Sequence, residues 1–283
     1  VAFLSSILYL VVPFTLMYDR MALYDSMVGT FYIWNLYLAV RLVREVRLDL
    51  ALLLGMTLGA GMLNKTSGLI SLYLLPATLL LLDMKKPKLF KRLWQWLVLA
   101  GIAAVLSQIF YSILRLSPFF HMIAQKDIVF VYPFAEWLKH PFAFLRGNLI
   151  GLFDWLRTYL TLPIFIASLA PLFIPWKNLR EKLVLYGYWV VPFVGLAMIG
   201  RVLFPRFILF MAMPLLVLAA LTIDWLLTRL RPKVWKAALV VVLFSLSIFT
   251  DYFIIADPLH APIHDADKGQ YMDSWPSGWG VPE

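Results

Sequence analysis

Long apolar runs alternate with short polar segments along this chain of 283 residues. A helix that crosses a membrane upright needs about 20 mostly apolar residues, with roughly 17 to 25 tolerated. The pattern predicts nine such segments, of which the first is expected to be cut short by the start of the sequence. The third and fourth are short enough to be tilted, re-entrant or a buried hairpin. The nine segments are 1–14, 22–40, 50–63, 67–82, 93–114, 160–176, 183–200, 205–227 and 234–255. They predict an all-α fold, a polytopic transmembrane helical bundle.

Four basic clusters separate the apolar runs and contain 15 of the 25 Lys and Arg residues. They are Arg41/Arg44/Arg47, Lys85/Lys86/Lys88/Lys91/Arg92, Lys177/Arg180/Lys182 and Arg229/Arg231/Lys233/Lys236. The clusters fall at alternate ends of the segments, as expected if cytoplasmic loops retain Lys and Arg during insertion. The alternation predicts an integral, multi-pass protein, in the plasma membrane if the source is prokaryotic. It places 18–24, 64–66, 117–159, 201–204 and 256–283 on the non-cytoplasmic side.

Composition supports the same class, because 62% hydrophobic and 14% charged residues would leave a water-soluble domain without a polar surface. The formal net charge of +9 is spread over short loops. This distribution favours anionic membrane lipids as the electrostatic partner, and nucleic acid is not expected. The absence of cysteine excludes disulfides, thiol catalysis and zinc sites built from cysteine.

Two external regions differ from the spans. Segment 117–159 alternates aromatic and charged residues, which predicts an amphipathic stretch in the membrane interface with its aromatic side down. The tail 256–283 turns polar and is expected to begin an external soluble region. The chain therefore divides into a transmembrane module, 1–255, and the start of a second region.

Charged residues between the first two spans are the first candidates for chemistry. The stretch YDRMALYDS places Asp19, Arg20 and Asp25 at the outer end of the bundle. Ionisable groups at membrane depth are costly and mark functional sites. The alternative for Asp25 is a carboxylate that complements a helix N-terminus, and for Asp19 and Arg20 a surface ion pair.

A second candidate is the pair Arg201 and Arg206 around Pro205, where GRVLFPRFILF opens the eighth span. Proline suits a first helical turn, so Arg206 lies near the positive end of a helix dipole. A bound phosphate would resolve that conflict by accepting hydrogen bonds from the guanidinium groups and the free backbone N–H groups. The alternative is that both arginines snorkel into lipid headgroups.

The turn Asn64-Lys65-Thr66-Ser67-Gly68 between the two short spans is the third candidate. Lys65 carries its only charge, and the next helix N-terminus could face an anion. The alternative is an interfacial anchoring lysine. His260 and His264 stand four residues apart, but Pro258 and Pro262 argue against the helix that would align them on a metal. No metal or other cofactor is predicted, although a divalent ion is compatible with the sequence.

Three stretches together resemble a known family. PFTLMYDRMALYDSMVGTF resembles the external loop and the following span of that family. GAGMLNKTSGLISLYLLP resembles its Leu-Thr-Lys-Gly hairpin, and FPRFILFMAMPLLVLAA resembles its Arg-Tyr-x-Leu-Pro span. The family is the C-type (GT-C) superfamily of glycosyltransferases that use polyprenyl- or dolichyl-phosphate sugars. It includes protein O-mannosyltransferases and the aminoarabinose transferase of lipid A. Asn64, Phe207 and Met211 depart from the usual Thr, Tyr and Pro.

The resemblance implies inverting transfer of a sugar from a polyprenyl-phosphate donor to a protein, lipid or glycan acceptor at the external face. By the resemblance, Asp25 and Asp19 are the catalytic carboxylates and Lys65 and Arg206 bind the donor phosphate. Arg201 and Arg20 then support it. The family's principal catalytic acidic residue lies in an external loop upstream of the matched region, so this sequence is expected to begin after it.

Two other classes of function are compatible with the pattern. A non-enzymatic lipid or sugar transporter or flippase would place its ion sites near the bilayer midplane on broken helices. Here the charges gather at one surface instead. A structural or assembly subunit would use the aromatic segment 117–159 for contacts and would lose little when the external charges are removed.

Overall fold

The computed structural model describes residues 1–21, 23–84, 87–173 and 178–272. Across these ranges the chain is helical without a strand, and one antiparallel bridge pairs Val131 with Gly200. Lys85, Lys86 and Lys177 of the basic clusters, the end of the predicted segment 160–176, and the tail from 273 onward lie outside the described residues.

Fourteen α-helices follow one another in the described ranges. They are α1 (Ala2–Val11), α2 (Pro13–Asp19), α3 (Asp25–Glu45), α4 (Leu48–Asn64), α5 (Leu69–Tyr73), α6 (Leu89–Ser112), α7 (His121–Phe130), α8 (Phe134–Trp137), α9 (Leu145–Leu160), α10 (Leu162–Leu169), α11 (Leu179–Ile199), α12 (Leu209–Arg229), α13 (Lys233–Ala256) and α14 (Asp265–Asp267). Short 3₁₀ turns extend several of them, at Thr66–Gly68, Leu75–Leu81, Ile113–Leu116, Ala170–Leu172, Pro205–Ile208 and Pro258–His260, and a π turn covers Lys268–Met272.

Five of the described helices are long and apolar enough to cross a membrane. They are Asp25–Glu45, Leu89–Leu116, Leu179–Ile199, Pro205–Arg229 and Lys233–Ala256. The number rises to seven if each of two bent helix pairs forms one span. The prediction of an all-helical chain is therefore confirmed, and these helices support a membrane protein. The third and fourth predicted segments correspond to shorter apolar helices, Leu48–Asn64 and Thr66–Leu81, and the count of nine crossings stays a prediction.

The two bends occur beside prolines. α1 and α2 meet at 62°, with Pro13 opening α2, and α9 and α10 meet at 110°. At the second bend Thr161 has a φ of 60°, a left-handed conformation that is unusual for a β-branched residue, and Pro163 removes a backbone donor from the first turn of α10. The predicted segment 160–176 thus begins at a sharp bend and continues a helix that starts at Leu145.

α12 forms the centre of the bundle. Most of its residues up to Ile223 are apolar and buried, and it packs against α1, α3, α10 and α11. α6 lies at the periphery against α4 and exposes large apolar side chains such as Val105 and Ile109. Since a helix in lipid needs no polar outer face, this exposure fits a membrane span.

Segment 117–159 contains α7, α8 and most of α9, and α9 buries Leu152, Leu156 and Tyr159 against the bundle. The tail also returns to the bundle, because Ala261 and Asp267 are fully buried. α13 ends at Ala256, beside the predicted boundary between the two regions. Residues 257–272 therefore lie over the helices near the N-terminus of α3, and their external position stays a prediction.

Candidate functional site

Three charged residues that are far apart in sequence meet at the N-terminus of α3. The Nζ atom of Lys65 lies 2.6 Å from Oδ1 of Asp25, and the Nε atom of Arg206 lies 3.9 Å from Oδ2 of the same carboxylate. The exposed fractions of the side chains are 8% for Asp25, 17% for Arg206 and 28% for Lys65. We call these three residues the Asp25 cluster. With one carboxylate and two cations, the cluster carries a formal charge of +1.

Each member occupies the end of a helical element. Asp25 is the first residue of α3, where the helix dipole stabilises a carboxylate. Lys65 follows α4 in extended conformation, and Arg206 lies in the 3₁₀ turn that precedes α12. Gly68 closes the Lys65 turn against α4, since a Cβ atom there would overlap the backbone of Gly61 and come within 2.8 Å of the Met62 nitrogen. The close approach of these two backbones fixes the position of Lys65.

Aromatic rings surround the two cations. The Lys65 Nζ atom lies 4.7 Å from the centre of the Phe207 ring. The Arg206 guanidinium lies 4.9 Å from the Phe204 ring and 5.9 Å from the Tyr271 ring. Such rings attract cations and exclude water, which strengthens electrostatic interactions. The Arg206 Nη1 atom also donates a hydrogen bond to the Tyr271 hydroxyl, so the tail occupies one of the guanidinium donors.

A second carboxyl group lies beside the Lys65 turn. The Thr66 hydroxyl donates a hydrogen bond to Oδ1 of Asp127 in α7 at 3.3 Å, and Phe130 of the same helix contacts the Phe207 ring. Burial raises the pKa of the Asp127 carboxyl, and the Thr66 hydrogen bond offsets part of this effect. Asp127 is therefore a carboxyl group at the edge of the cluster that accepts a proton more readily than an exposed aspartate.

A third carboxyl group lies behind Arg206, on the folded-back tail. Oδ2 of the fully buried Asp267 accepts hydrogen bonds from the hydroxyls of Tyr18 and Tyr159. Its Oδ1 atom is buried without a partner in the described chain. Burial raises the pKa of Asp267. The Tyr18 ring in turn contacts Tyr271, so these side chains continue from the Asp25 cluster into the packed tail.

The other predicted site residues contact different partners. Asp19 accepts a hydrogen bond from the Tyr9 hydroxyl at 2.7 Å, and the Arg20 Nη1 atom donates to the Ile254 carbonyl at 3.3 Å. The Arg201 guanidinium lies 5.6 Å from the Tyr132 ring. Within the described ranges no hydrogen bond or ion pair joins Asp19, Arg20 or Arg201 to Asp25.

The two tail histidines have separate partners. The Nδ1 atom of His260 lies 2.7 Å from an Asp257 oxygen, and the Nε2 atom of His264 lies 3.4 Å from Asp154. No group of three His, Asp or Glu residues with the geometry of a metal site occurs in the described parts of the chain. Each histidine is thus part of an ion pair or hydrogen bond.

Sequence reasoning missed Asp127, Asp267 and Tyr271. Asp127 lies in a segment that was expected to rest in the interface, and Asp267 lies in the tail that was expected to begin an external soluble region. A signal existed for the tail, since Ala261 and Ile263 stand at alternate positions in a polar stretch and both are buried. That alternation indicates a segment with one packed side.

Comparison of the chain with protein-family models, with curated proteins and with solved structures finds no match. The functional interpretation therefore depends on the geometry of the Asp25 cluster and on the chemistry that its residues can perform.

Proposed function

We propose that the chain is a membrane glycosyltransferase that moves a sugar from a polyprenyl-phosphate donor to an acceptor at the external membrane face, with inversion. One observation carries the proposal. Lys65 and Arg206 both approach the carboxylate of Asp25, at the end of a helix long enough to cross a membrane. Ion clusters in apolar surroundings are costly to maintain and favour a functional explanation.

The charge of the cluster suits the proposed donor. A polyprenyl-phosphate sugar is a phosphodiester with one negative charge, and the Asp25 cluster has one positive charge in excess. Lys65 and Arg206 provide ammonium and guanidinium donors, which form strong charge-assisted hydrogen bonds with phosphate oxygens. The Tyr271 hydroxyl now holds one Arg206 donor, so the phosphate would take the place of this hydroxyl.

The proposed step balances without a cofactor. The acceptor hydroxyl oxygen forms a bond to the anomeric carbon on the side opposite the phosphate. The bond between that carbon and the phosphate oxygen breaks, and its electron pair leaves with polyprenyl phosphate. The acceptor proton passes to Asp127, whose raised pKa suits a general base. Lys65 and Arg206 stabilise the charge that develops on the leaving phosphate.

The role of Asp25 follows from its contacts. Lys65 approaches one oxygen of the Asp25 carboxylate and Arg206 approaches the other. Asp25 therefore holds Lys65 and Arg206 in position for the phosphate, and it is a positioning residue. This assignment separates positioning by Asp25 from proton transfer by Asp127.

Donor binding by the full-length protein in lipid nanodiscs tests the phosphate site. A radiolabelled polyprenyl-phosphate sugar should bind at least about tenfold more weakly to Lys65→Ala and Arg206→Ala, because each loses a charge-assisted hydrogen bond. Arg115→Ala is the matched control. The Arg115 side chain is exposed, and its described cation–π contact is with the Phe120 ring. Unchanged donor binding in both cluster variants would contradict the phosphate assignment.

Transfer of the label distinguishes an enzyme from a transporter. Asp127→Asn should still bind the donor. Its rate of sugar transfer to acceptors in native membranes should fall by about 10²-fold or more, which is the lower end of the range expected for loss of a general base. If the wild-type protein binds or moves the donor while all label stays on polyprenyl phosphate, the transporter alternative replaces the enzyme.

A further inference from the structure

A cavity of about 400 Å³ lies at the other end of α3 from the Asp25 cluster. α3 has 21 residues, so its ends lie about 30 Å apart, which is close to the thickness of a bilayer hydrocarbon core. We call this space the arginine cavity. Its lining residues are Arg44, Leu81, Asp83, Arg92, Arg180 and Glu181.

The lining has three guanidinium groups and two carboxylates, which gives a formal charge of +1. Two of the arginines also lie in the first turns of long helices, Arg92 in α6 and Arg180 in α11. The N-terminus of a helix is positive, so a cation at this place is unfavourable unless an anion is present. Two helix N-termini and three guanidinium groups therefore make the same space positive.

Hydrogen bonding supports an anion in this space. The Arg92 Nη2 atom donates to the Arg44 carbonyl at 3.2 Å, whereas its Nη1 atom is buried and has no partner in the described chain. The Arg180 Nη1 atom donates to the Leu82 carbonyl at 3.3 Å. A guanidinium has five N–H donors, so these contacts leave several free. A buried charged donor without an acceptor is costly, and oxygen atoms of an anion would satisfy it.

Phosphate fits these donors better than a single carboxylate does, because the forked guanidinium groups of Arg92 and Arg180 can both donate to its several oxygens. Exposed aromatic side chains lie close in sequence to Arg92. Phe90 and Trp94 are largely exposed on the first turns of α6, and aromatic side chains concentrate at the membrane interface. The cavity thus combines guanidinium donors with neighbouring aromatic side chains of the kind found at the membrane interface.

We propose that the arginine cavity binds a phosphomonoester, either the headgroup of an anionic lipid such as phosphatidic acid or a soluble phosphate. The proposal is independent of the glycosyltransferase assignment, because it uses none of the Asp25 cluster. The phosphate oxygens accept hydrogen bonds from Arg92 and Arg180, while Arg44 keeps its ion pair with Glu181 at 3.0 Å.

Two arms of one experiment separate the sources. In the first, the full chain is placed in phosphatidylcholine nanodiscs that contain a small fraction of fluorescent phosphatidic acid, and energy transfer from the protein's tryptophans reports its enrichment at the protein. In the second, inorganic phosphate is added to protein in nanodiscs of phosphatidylcholine alone, and the melting temperature is measured. A lipid site responds in the first arm and a soluble phosphate site in the second.

Arg92→Gln and Arg180→Gln should weaken the response about tenfold in whichever arm the wild type responds, and Arg92→Lys should weaken it less. Arg231→Gln is the matched control, because Arg231 is an exposed residue of another basic cluster and does not line the cavity. Its response should stay within twofold of the wild type. Equal losses in Arg231→Gln would indicate diffuse surface charge and overturn the proposal. No response of the wild-type protein in either arm, with its folding checked by gel filtration, would also overturn it.

Discussion

At the Asp25 end of α3, a carboxylate with 8% exposure contacts two cations that are themselves largely enclosed. At the Arg44 end, by contrast, the ion pair of Arg44 with Glu181 leaves both side chains about half exposed, at 50% and 44%. The same helix therefore carries a buried charge cluster at one end and solvated ion pairs at the other. Burial decides the energy of such groups, because breaking a buried pair leaves an uncompensated charge while water replaces an exposed partner.

The largest effect is expected from removing the buried carboxylate. Asp25→Ala should lower the free energy of unfolding by about 3–5 kcal/mol, since Lys65 and Arg206 lose their shared partner. Glu181→Ala, the matched change at the other end, should cost less than about 1 kcal/mol. Chemical denaturation of both variants in the same detergent measures the difference. Equal losses of unfolding free energy in the two variants would contradict the claim that burial determines the energy of these ion pairs.

The next effect concerns the backbone that holds Lys65. Gly68→Ala should lower the free energy of unfolding by about 1–3 kcal/mol, because the added Cβ atom overlaps the Gly61 backbone and forces the turn away from α4. Gly101→Ala in α6 meets no atom within 4 Å and should stabilise that helix by up to about 1 kcal/mol. Denaturation curves of both alanine variants test the contrast. A neutral Gly68→Ala variant would mean that the turn does not fix Lys65.

The buried tail carboxyl should make stability depend on pH. Burial raises the pKa of Asp267 in the folded protein, so above the ordinary value of about 4 the unfolded chain has lost a proton that the folded chain retains. Stability due to this group therefore falls as pH rises. Asp267→Asn removes the titration, and its stability relative to wild type should improve as the pH rises above about 4.

Melting temperatures across this pH range, with the exposed Asp265→Asn as control, test the sign. A constant difference between wild type and Asp267→Asn at all pH values would show that Asp267 has the same pKa in both states. A trend of the opposite direction would show that its charged form is the stable one.

The smallest effect is expected at the hydroxyl that caps Arg206. Tyr271→Phe keeps the ring contact with the guanidinium and removes the hydrogen bond. A donor phosphate then displaces no hydroxyl, so its affinity should rise by a few-fold, in line with the roughly 0.5–1.5 kcal/mol of one hydrogen bond. Tyr252→Phe, on the exposed side of α13, is the control. Weaker donor binding in Tyr271→Phe would show that the hydroxyl assists binding.

Much of the fold could be predicted from apolar runs, because a membrane span depends on local composition. The five long apolar helices, among them Asp25–Glu45 and Lys233–Ala256, correspond to such runs. The bends could not be predicted in detail. Pro13 and Pro163 are visible in the sequence, but the 110° angle depends on the conformation of Thr161 and on how α10 packs against α12.

The candidate site also contains residues that could be predicted from the sequence and residues that could not. Asp25, Lys65 and Arg206 could be singled out because each is a charged residue at the end of an apolar segment. Placing a charge there costs free energy, which marks the residue as a functional candidate. Asp127 and Asp267 lie in polar segments, where a carboxylate is ordinary. Their importance comes from burial, which arises only when α7 and the tail pack against the bundle.

Photo-cross-linking of the donor would show directly whether its phosphate lies beside Lys65 and Arg206. A polyprenyl-phosphate sugar with a diazirine near the phosphate would be bound to the full chain in nanodiscs, irradiated, and mapped by mass spectrometry of the peptides. Labels are expected in the turns at 64–68 and 204–208, beside Lys65 and Arg206, and unlabelled donor should compete with them. Labels that concentrate around Arg44 and Arg92, or that unlabelled donor fails to remove, would contradict this position of the phosphate.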